Sequence, residues 1–155
     1  MNKTFFISTA IPYVNSDPHI GFALELVQAD VLARARRQKE EEVFFLTGTD
    51  DNALKNVQAA EAAGVPVKKW VADHAEAFEK LAQELNISNN DFIRTSTEER
   101  HIKGAQKLWQ ACVKDIYKKK YRGLYCVGHE AFVTEKDLVD GKCNDHQKEP
   151  EGIEE

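Results

Sequence analysis

Residues 3–51, KTFFISTAIPYVNSDPHIGFALELVQADVLARARRQKEEEVFFLTGTDD, contain the pattern that predicts the fold class. It begins with residues 3–11, which are rich in Phe, Ile and Thr, and a second apolar run follows at residues 43–47. Short runs of this kind are typical of buried strands. The first strand should end at Pro12, because proline has no N–H to donate to a neighbouring strand.

The segment between the two runs predicts a helix. Asn15, Ser16 and Asp17 precede Pro18, and a capping side chain followed by proline is a common helix start. Apolar residues then recur at helical spacing, which indicates the apolar face of the helix: Ile20, Leu24, Val27, Val31 and Ala35.

A strand, a helix and a second strand in this order predict a βαβ unit with parallel strands. Ligands of such sheets bind beyond the carboxyl ends of the strands. We therefore expect a crevice formed by residues 10–13, the start of the first helix, and residues 48–52.

The following residues extend the α/β pattern. Helices are predicted at residues 52–63, with Gly64 as a left-handed cap, and at residues 67–85. A short strand is predicted at residues 91–94. A last helix is expected to bury apolar residues spaced along one stripe: Ile102, Ala105, Trp109, Cys112 and Ile116.

Composition excludes several classes of protein. The chain has 155 residues, a formal charge of -5 and three cysteines, so it can bury a core and is not a disulfide scaffold. No apolar run is long enough to span a bilayer, and we expect no membrane partner and a cytoplasmic location. A basic run at residues 118–122 is a candidate local contact for RNA, although its composition favours the alternative of a solvated helix end.

His19 and Gly21 lie where the first helix opens. A helix start presents unpaired N–H groups, so His19 and the nearby amides could hold phosphate oxygens, while Gly21 lets a base or a sugar approach the backbone. The alternative is a surface histidine next to a glycine that is needed for helix packing.

Four residues near the C-terminus have the spacing of two metal-binding knuckles. Cys126-x2-His129 is followed 13 residues later by Cys143-x2-His146, with Gly128 and Gly141 nearby to permit tight turns. Thiolate and imidazole are the ligands that zinc prefers, and four of them close a tetrahedral shell, which predicts a structural zinc site. A core cysteine with surface imidazoles is the alternative.

Several ordered blocks of this sequence resemble methionyl-tRNA synthetases, a family of class I aminoacyl-tRNA synthetases. The resemblance is colinear along the whole chain and rests on residues 11–15 (IPYVN), 18–21 (PHIG), 28–30 (QAD), 44–50 (FFLTGTD), 91–95 (DFIRT), 123–126 (GLYC) and 134–136 (TEK).

The resemblance implies a reaction, substrates and roles. Methionine would react with ATP, supplied with Mg, to give methionyl-adenylate, and the methionyl group would then pass to tRNA(Met). His19 would contact phosphate as the catalytic residue, and Gly21 would lie under the adenosine. Asp50 would hold the substrate ammonium, and Ile11 and Tyr13 would lie beside the methionine side chain. Capping of the next helix is the alternative for Asp50 and its neighbour Asp51.

Two departures from the family pattern concern ligands. Phe22 occupies the position of the second signature histidine in the ATP site, and its ring cannot donate a hydrogen bond. The resemblance therefore implies an apolar contact between Phe22 and ATP, unless a neighbouring group replaces the histidine. His129 stands where the relatives more often have a cysteine ligand, and imidazole is an acceptable substitute.

The resemblance also implies a domain arrangement. Residues 1–115 would form the first half of a Rossmann-like catalytic domain, and residues 116–155 would form part of a zinc-bearing connective insertion. The second half, with its KMSKS-type loop and the anticodon-binding domain, would lie outside the chain, and we expect the chain alone not to charge tRNA. Two other functions stay open: a nucleotidyltransferase with an HxGH-like site, and a non-catalytic zinc module that binds RNA or protein.

Overall fold

A computed structural model describes residues 3–154, which form two compact units that divide between Gln110 and Ala111. The first unit holds three strands and four helices, with two consecutive helices between the second and third strands. They are β1 (Thr4–Ser8), α1 (Ile20–Arg37), β2 (Glu42–Thr49), α2 (Leu54–Ala63), α3 (Val67–Glu84), β3 (Asp91–Arg94) and α4 (Glu99–Ala111).

The three strands form one parallel sheet in the order β1-β2-β3. Phe5 pairs with Val43 in the first ladder, and Leu46 pairs with Asp91 in the second. The predicted βαβ unit and its parallel pairing are confirmed. β1 ends at Ser8, earlier than the predicted residue 11.

Helix α1 covers one face of this sheet, and it does so with a different stripe from the predicted one. Its buried apolar residues are Phe22, Leu26, Ala29 and Ala33, whereas Ile20, Leu24, Val27 and Val31 are exposed. Both stripes are apolar at i, i+4 and i+7 spacing, so spacing alone does not separate them. The small side chains of Ala29 and Ala33 pack in one cluster with Val43 and Phe45 of β2.

A second cluster joins α1 to α3. The ring of Phe22 meets that of Phe78 edge to face, with the ring centroids 5.0 Å apart. The same buried cluster contains Val14, Leu26 of α1, and Val71 with other residues of α3. Phe22 is only 5% exposed, so its side chain belongs to the core.

The predicted burial of α4 is wrong for the described chain. No residue of α4 is buried, and Trp109 is 63% exposed. Cys112, which was expected on the same buried stripe, is exposed as well. The opposite face of the sheet is also uncovered among residues 3–154, with Phe6 stacked on Phe44 at its surface.

Helix ends in this unit follow local chemistry. Gly64 follows the last residue of α2 and forms the predicted left-handed cap, with a φ of 65°. Pro66 then precedes the first residue of α3, where its missing N–H removes no helical hydrogen bond.

The second unit is built from short antiparallel strands. They are β4 (Arg122–Cys126), β5 (Ala131–Val133), β6 (Leu138–Val139), β7 (Lys142–Cys143) and β8 (Glu151–Glu154), paired as β5-β4-β8 and β6-β7. Asp140 and Gly141 join β6 to β7 with φ values of 51° and 78°. This two-residue turn confirms the tight turn predicted at Gly141.

None of the helices within residues 3–154 combines the length and the apolar character that crossing a membrane requires.

We predict that Phe22→Ala lowers the free energy of unfolding of the chain by about 3–5 kcal/mol, because it opens a cavity against Phe78. Ile20→Ala is the control, since Ile20 is 88% exposed and should change stability by less than about 0.5 kcal/mol. Urea denaturation followed by far-UV circular dichroism measures both. Equal losses for the two variants would contradict the assignment of Phe22 to the core.

Candidate active site and metal centre

The carboxyl ends of β1 and β2 bring Tyr13 and Asp50 together. The two residues pair as an isolated parallel bridge beyond the strands, and the Asp50 N–H donates to the Pro12 carbonyl at 2.8 Å. The side chain of Asn56 donates to the Asp50 carbonyl at 3.1 Å. The backbone of Asp50 is therefore held from both sides.

The Asp50 carboxylate is half-buried and oriented by its neighbours. Its Oδ1 accepts the backbone N–H of Asn52 at 3.1 Å and the hydroxyl of Thr95 at 3.4 Å. Helix α2 has Ala53 as its N-cap and no side-chain capping bond. The alternative interpretation of Asp50 and Asp51 as caps of this helix is therefore wrong.

Two of the three predicted methionine contacts are adjacent. Tyr13 lies beside Asp50, and the Nζ atom of Lys55 lies 5.3 Å from the centroid of the Tyr13 ring, within cation–π range. Ile11 is exposed two residues before Tyr13 on the same segment. The sequence reasoning did not select Lys55, although its place in the first turn after residues 48–52 puts it at this edge of the sheet.

A buried charged group next to Asp50 was also missed. The carboxylate of Asp51 accepts hydrogen bonds from the Thr49 hydroxyl at 2.8 Å, the Ser96 hydroxyl at 2.7 Å and the Arg94 guanidinium at 3.2 Å. Adjacent parallel strands end at the same edge, so an acid after β2 and an arginine that ends β3 are a detectable signal for this pair.

His19 caps helix α1. Its Nδ1 accepts the backbone N–H of Gly21 at 3.0 Å, whereas Asn15, Ser16 and Asp17 do not occupy the capping position. In the neutral ring this hydrogen bond leaves the proton on Nε2, which makes Nε2 a donor at an exposed helix start. The Gly21 amide donates to this ring, so any phosphate contact from the start of α1 would come from Nε2 of His19 or from neighbouring amides.

Gly21 is required by the same cap. A β-carbon on Gly21 would lie 2.9 Å from Cε1 of His19, which is too close for the ring to stay in place. Phe22, which was predicted to contact ATP, instead lies in the core against Phe78. Its burial explains why an apolar ring fits this position and is inconsistent with direct contact between that ring and a nucleotide.

The second unit brings all four predicted metal ligands together. Sγ of Cys143 lies 3.5 Å from Nδ1 of His129 and 3.5 Å from Nδ1 of His146, and Sγ of Cys126 lies 3.7 Å from Nδ1 of His146. One ligand atom from each residue fits within 4.8 Å of the others.

These distances fit a tetrahedral zinc ion. Zinc bonds of about 2.3 Å to sulfur and about 2.0–2.1 Å to nitrogen, at tetrahedral angles, separate the two atoms by about 3.6 Å. The two cysteines are buried and free of disulfides, while the two histidines are exposed. Hydrogen bonds from the backbone at His129 lower the pKa of the Cys126 thiol, which favours the thiolate that a metal requires.

Two further residues shape this centre. Gly128 leaves space for the imidazole ring of His146, because a β-carbon at residue 128 would lie 2.3 Å from Cγ of that ring. Asp145 accepts a hydrogen bond from Nε2 of His129 at 2.9 Å, and this bond raises the pKa of His129. A carboxylate on the outer nitrogen leaves Nδ1 of His129 to face the sulfurs.

The parallel sheet, the capped helix start and the polar groups at the carboxyl ends of β1 and β2 define a protein with a Rossmann-like fold. The family model described as "tRNA synthetases class I (M)" matches residues 5–154. The chain therefore belongs to the methionyl-tRNA synthetase family of class I synthetases.

Individual relatives agree with this assignment. The chain is 45% identical to methionine–tRNA ligase of Brucella suis over 137 residues, which cover 87% of the chain and 26% of the relative. It is 44% identical to the Rhizobium meliloti methionine–tRNA ligase over 135 residues. The structure of the Mycobacterium tuberculosis methionyl-tRNA synthetase in complex with methionyl-adenylate matches 99% of the chain and 31% of its own length, with a TM-score of 0.90 and 38% identity.

We predict that Asp145→Asn lowers the affinity for zinc by about tenfold or more, because the amide supports the His129 tautomer less well. Asp140→Asn removes the same charge from the β6–β7 turn and serves as the control. Titration against a competing chelator, with elemental analysis of the purified chain, measures the affinity and the zinc content. Purified chain without zinc, or equal affinities for the two variants, would contradict the assignment.

Proposed function

We propose that this chain is the N-terminal catalytic part of a methionine–tRNA ligase, which activates methionine with ATP and transfers it to tRNA(Met). The observation that carries the proposal is the pairing of Tyr13 with a fixed, half-buried Asp50 at the carboxyl edge of the sheet. The chain spans about a quarter of the length of the curated relatives it matches, so the activity belongs to a longer protein.

The first step forms methionyl-adenylate. A carboxylate oxygen of methionine attacks the α-phosphorus of MgATP, the bond from that phosphorus to the bridging oxygen breaks, and pyrophosphate leaves. In the second step a hydroxyl of the terminal ribose of tRNA(Met) attacks the methionyl carbonyl carbon, and AMP leaves. The enzyme forms no covalent intermediate, so positioning and charge stabilisation supply the rate.

Asp50 supplies the charge that orients methionine. A carboxylate held at its backbone and at Oδ1 presents negative charge to the α-ammonium group without further ordering. Tyr13 and Ile11 then flank the methionine side chain, and this places the methionine carboxylate toward the start of α1.

His19 supplies a donor to phosphate. Its Nδ1 is committed to the Gly21 amide, so Nε2–H is the group that can donate to an oxygen of the α-phosphate as charge builds there. The positive end of α1 adds to this stabilisation. Gly21 keeps the ring in place and leaves the backbone accessible to the adenosine.

The remaining parts have supporting roles. Residues 1–115 serve as the first half of the catalytic domain and residues 116–155 as part of the connective insertion. Cys126, His129, Cys143 and His146 would hold a zinc ion, which would stabilise the fold of the insertion without taking part in the reaction. Free cysteines suit a reducing compartment, so we place the protein in the cytoplasm.

We predict that the full-length protein catalyses pyrophosphate exchange into ATP only when methionine is present. Asp50→Asn should raise the KM for methionine by about ten- to hundredfold, because one charged hydrogen bond contributes about 1.5–3 kcal/mol. Asp73→Asn on the exposed side of α3 is the control.

Exchange that depends on another amino acid, or that needs none, would refute the proposed substrate. A methionine KM that is unchanged in Asp50→Asn would remove Asp50 from the ammonium site while leaving the reaction class intact.

Substitutions of His19 separate its cap from its catalytic role. Asn is a good N-cap, so His19→Asn should keep the stability within about 0.5 kcal/mol, while kcat falls by about a hundredfold because the Nε2 donor is lost. His19→Ala should lose about the same activity and also about 1 kcal/mol of stability. Thermal unfolding and pyrophosphate exchange measure the two effects. Full kcat in His19→Asn would show that the histidine acts only as a cap.

A further inference from the structure

Asp51 is a carboxylate with no exposed surface. Its side chain is 0% accessible, yet it lies one residue after Asp50 at the edge of the sheet where ligands are expected. Because it is fully enclosed, its carboxylate cannot contact a substrate in this conformation. Any effect of Asp51 on substrate binding must therefore act through the residues that contact it.

A buried charge persists in a protein only when several donors compensate for the lost water. Asp51 has such a set: the Thr49 hydroxyl donates to Oδ1, and the Ser96 hydroxyl and the Arg94 guanidinium donate to Oδ2. These donors come from β2, from the end of β3 and from the residues that follow β3. Asp51 therefore ties the segment after β3 to the end of β2.

One residue of that segment reaches Asp50. The backbone N–H of Asp51 donates to Oγ1 of Thr95 at 2.8 Å, and the Thr95 hydroxyl donates to Oδ1 of Asp50 at 3.4 Å. A threonine hydroxyl carries a single proton, so accepting the N–H of Asp51 leaves that proton for Asp50. Thr95 is itself buried, between the arginine and the serine that bind Asp51.

We propose that Asp51 is a positioning residue that sets the Asp50 carboxylate for recognition of the amino-acid ammonium group. Arg94 and Ser96 hold Asp51, these contacts fix Thr95, and Thr95 orients Asp50. The inference rests on the proposed function, because it takes Asp50 as the group that binds methionine. It adds a specific expectation, namely that the network controls binding of the amino acid rather than that of ATP.

The chain contains a matched control for this network. Asp30 on α1 is also buried, and it accepts hydrogen bonds from an arginine, Arg34, and from the hydroxyl and backbone N–H of a serine, Ser88. Ser88 precedes β3, so this second network lies toward the amino ends of the strands, away from Asp50. Its loss should affect stability in a similar way without changing the methionine site.

The experiment compares Asp51→Asn with Asp30→Asn in the full-length protein. We expect Asp51→Asn to raise the KM for methionine in pyrophosphate exchange by about tenfold with a much smaller change in kcat and in the KM for ATP, which is the pattern of lost substrate binding. Asp30→Asn should leave the KM for methionine unchanged even where its melting temperature falls as far.

A milder pair covers the case in which the aspartate variants do not fold. Ser96→Ala removes one donor from Asp51 and should raise the KM for methionine severalfold, while Ser88→Ala removes the corresponding donor from Asp30 and should not. Equal KM values for methionine within either folded pair would overturn the proposal. Wild-type protein without methionine-dependent exchange is a separate result, because it refutes the proposed function and removes the basis of this inference with it.

Discussion

The central position of β2 in the parallel sheet is the constraint on which the site depends. β2 pairs with β1 on one side and with β3 on the other, so all three strands end at one edge. The bond from the Asp50 N–H to the Pro12 carbonyl continues the first pairing past the strands, and the Asp51–Arg94 pair continues the second. Asp50, the proposed substrate contact, and the residues that orient it are thus held from the two sides of one strand.

The parallel pairing of the strands could be predicted from the sequence, because it depends only on the order of strands and helices along the chain. Two apolar runs with a helix between them predict parallel strands, and parallel strands predict where ligands lie. The face of α1 was not accessible in the same way, because two apolar stripes share its surface. The buried stripe is the one that contains Ala29 and Ala33, because their small side chains let the helix pack closely on β2. Trp109 on α4 is exposed although it lies on an apolar stripe. An apolar stripe predicts a helix, but it does not show which element packs against that helix.

The functional groups divide along a similar line. Spacing selected the four candidate metal ligands, because a metal shell needs donors at short intervals, and the structure brings these four residues together. The residues that orient those groups were missed. Asp145 beside His129 and Thr95 beside Asp50 act through hydrogen bonds between residues that are distant in sequence, which spacing does not encode, whereas the ends of β2 and β3 carry a signal for the Asp51–Arg94 pair. Phe22 illustrates the converse case, since family position suggested a ligand contact and burial assigns the ring to the core.

The most direct test is a crystal structure of the full-length protein with a methionyl-adenylate analogue bound. We expect the analogue's ammonium group within hydrogen-bond distance of the Asp50 carboxylate and its phosphate next to Nε2 of His19. We also expect that Asp51 stays enclosed by Arg94 and Ser96 without touching the analogue. An ammonium group bound elsewhere, or an Asp51 carboxylate that leaves its buried position and contacts the ligand, would contradict these assignments.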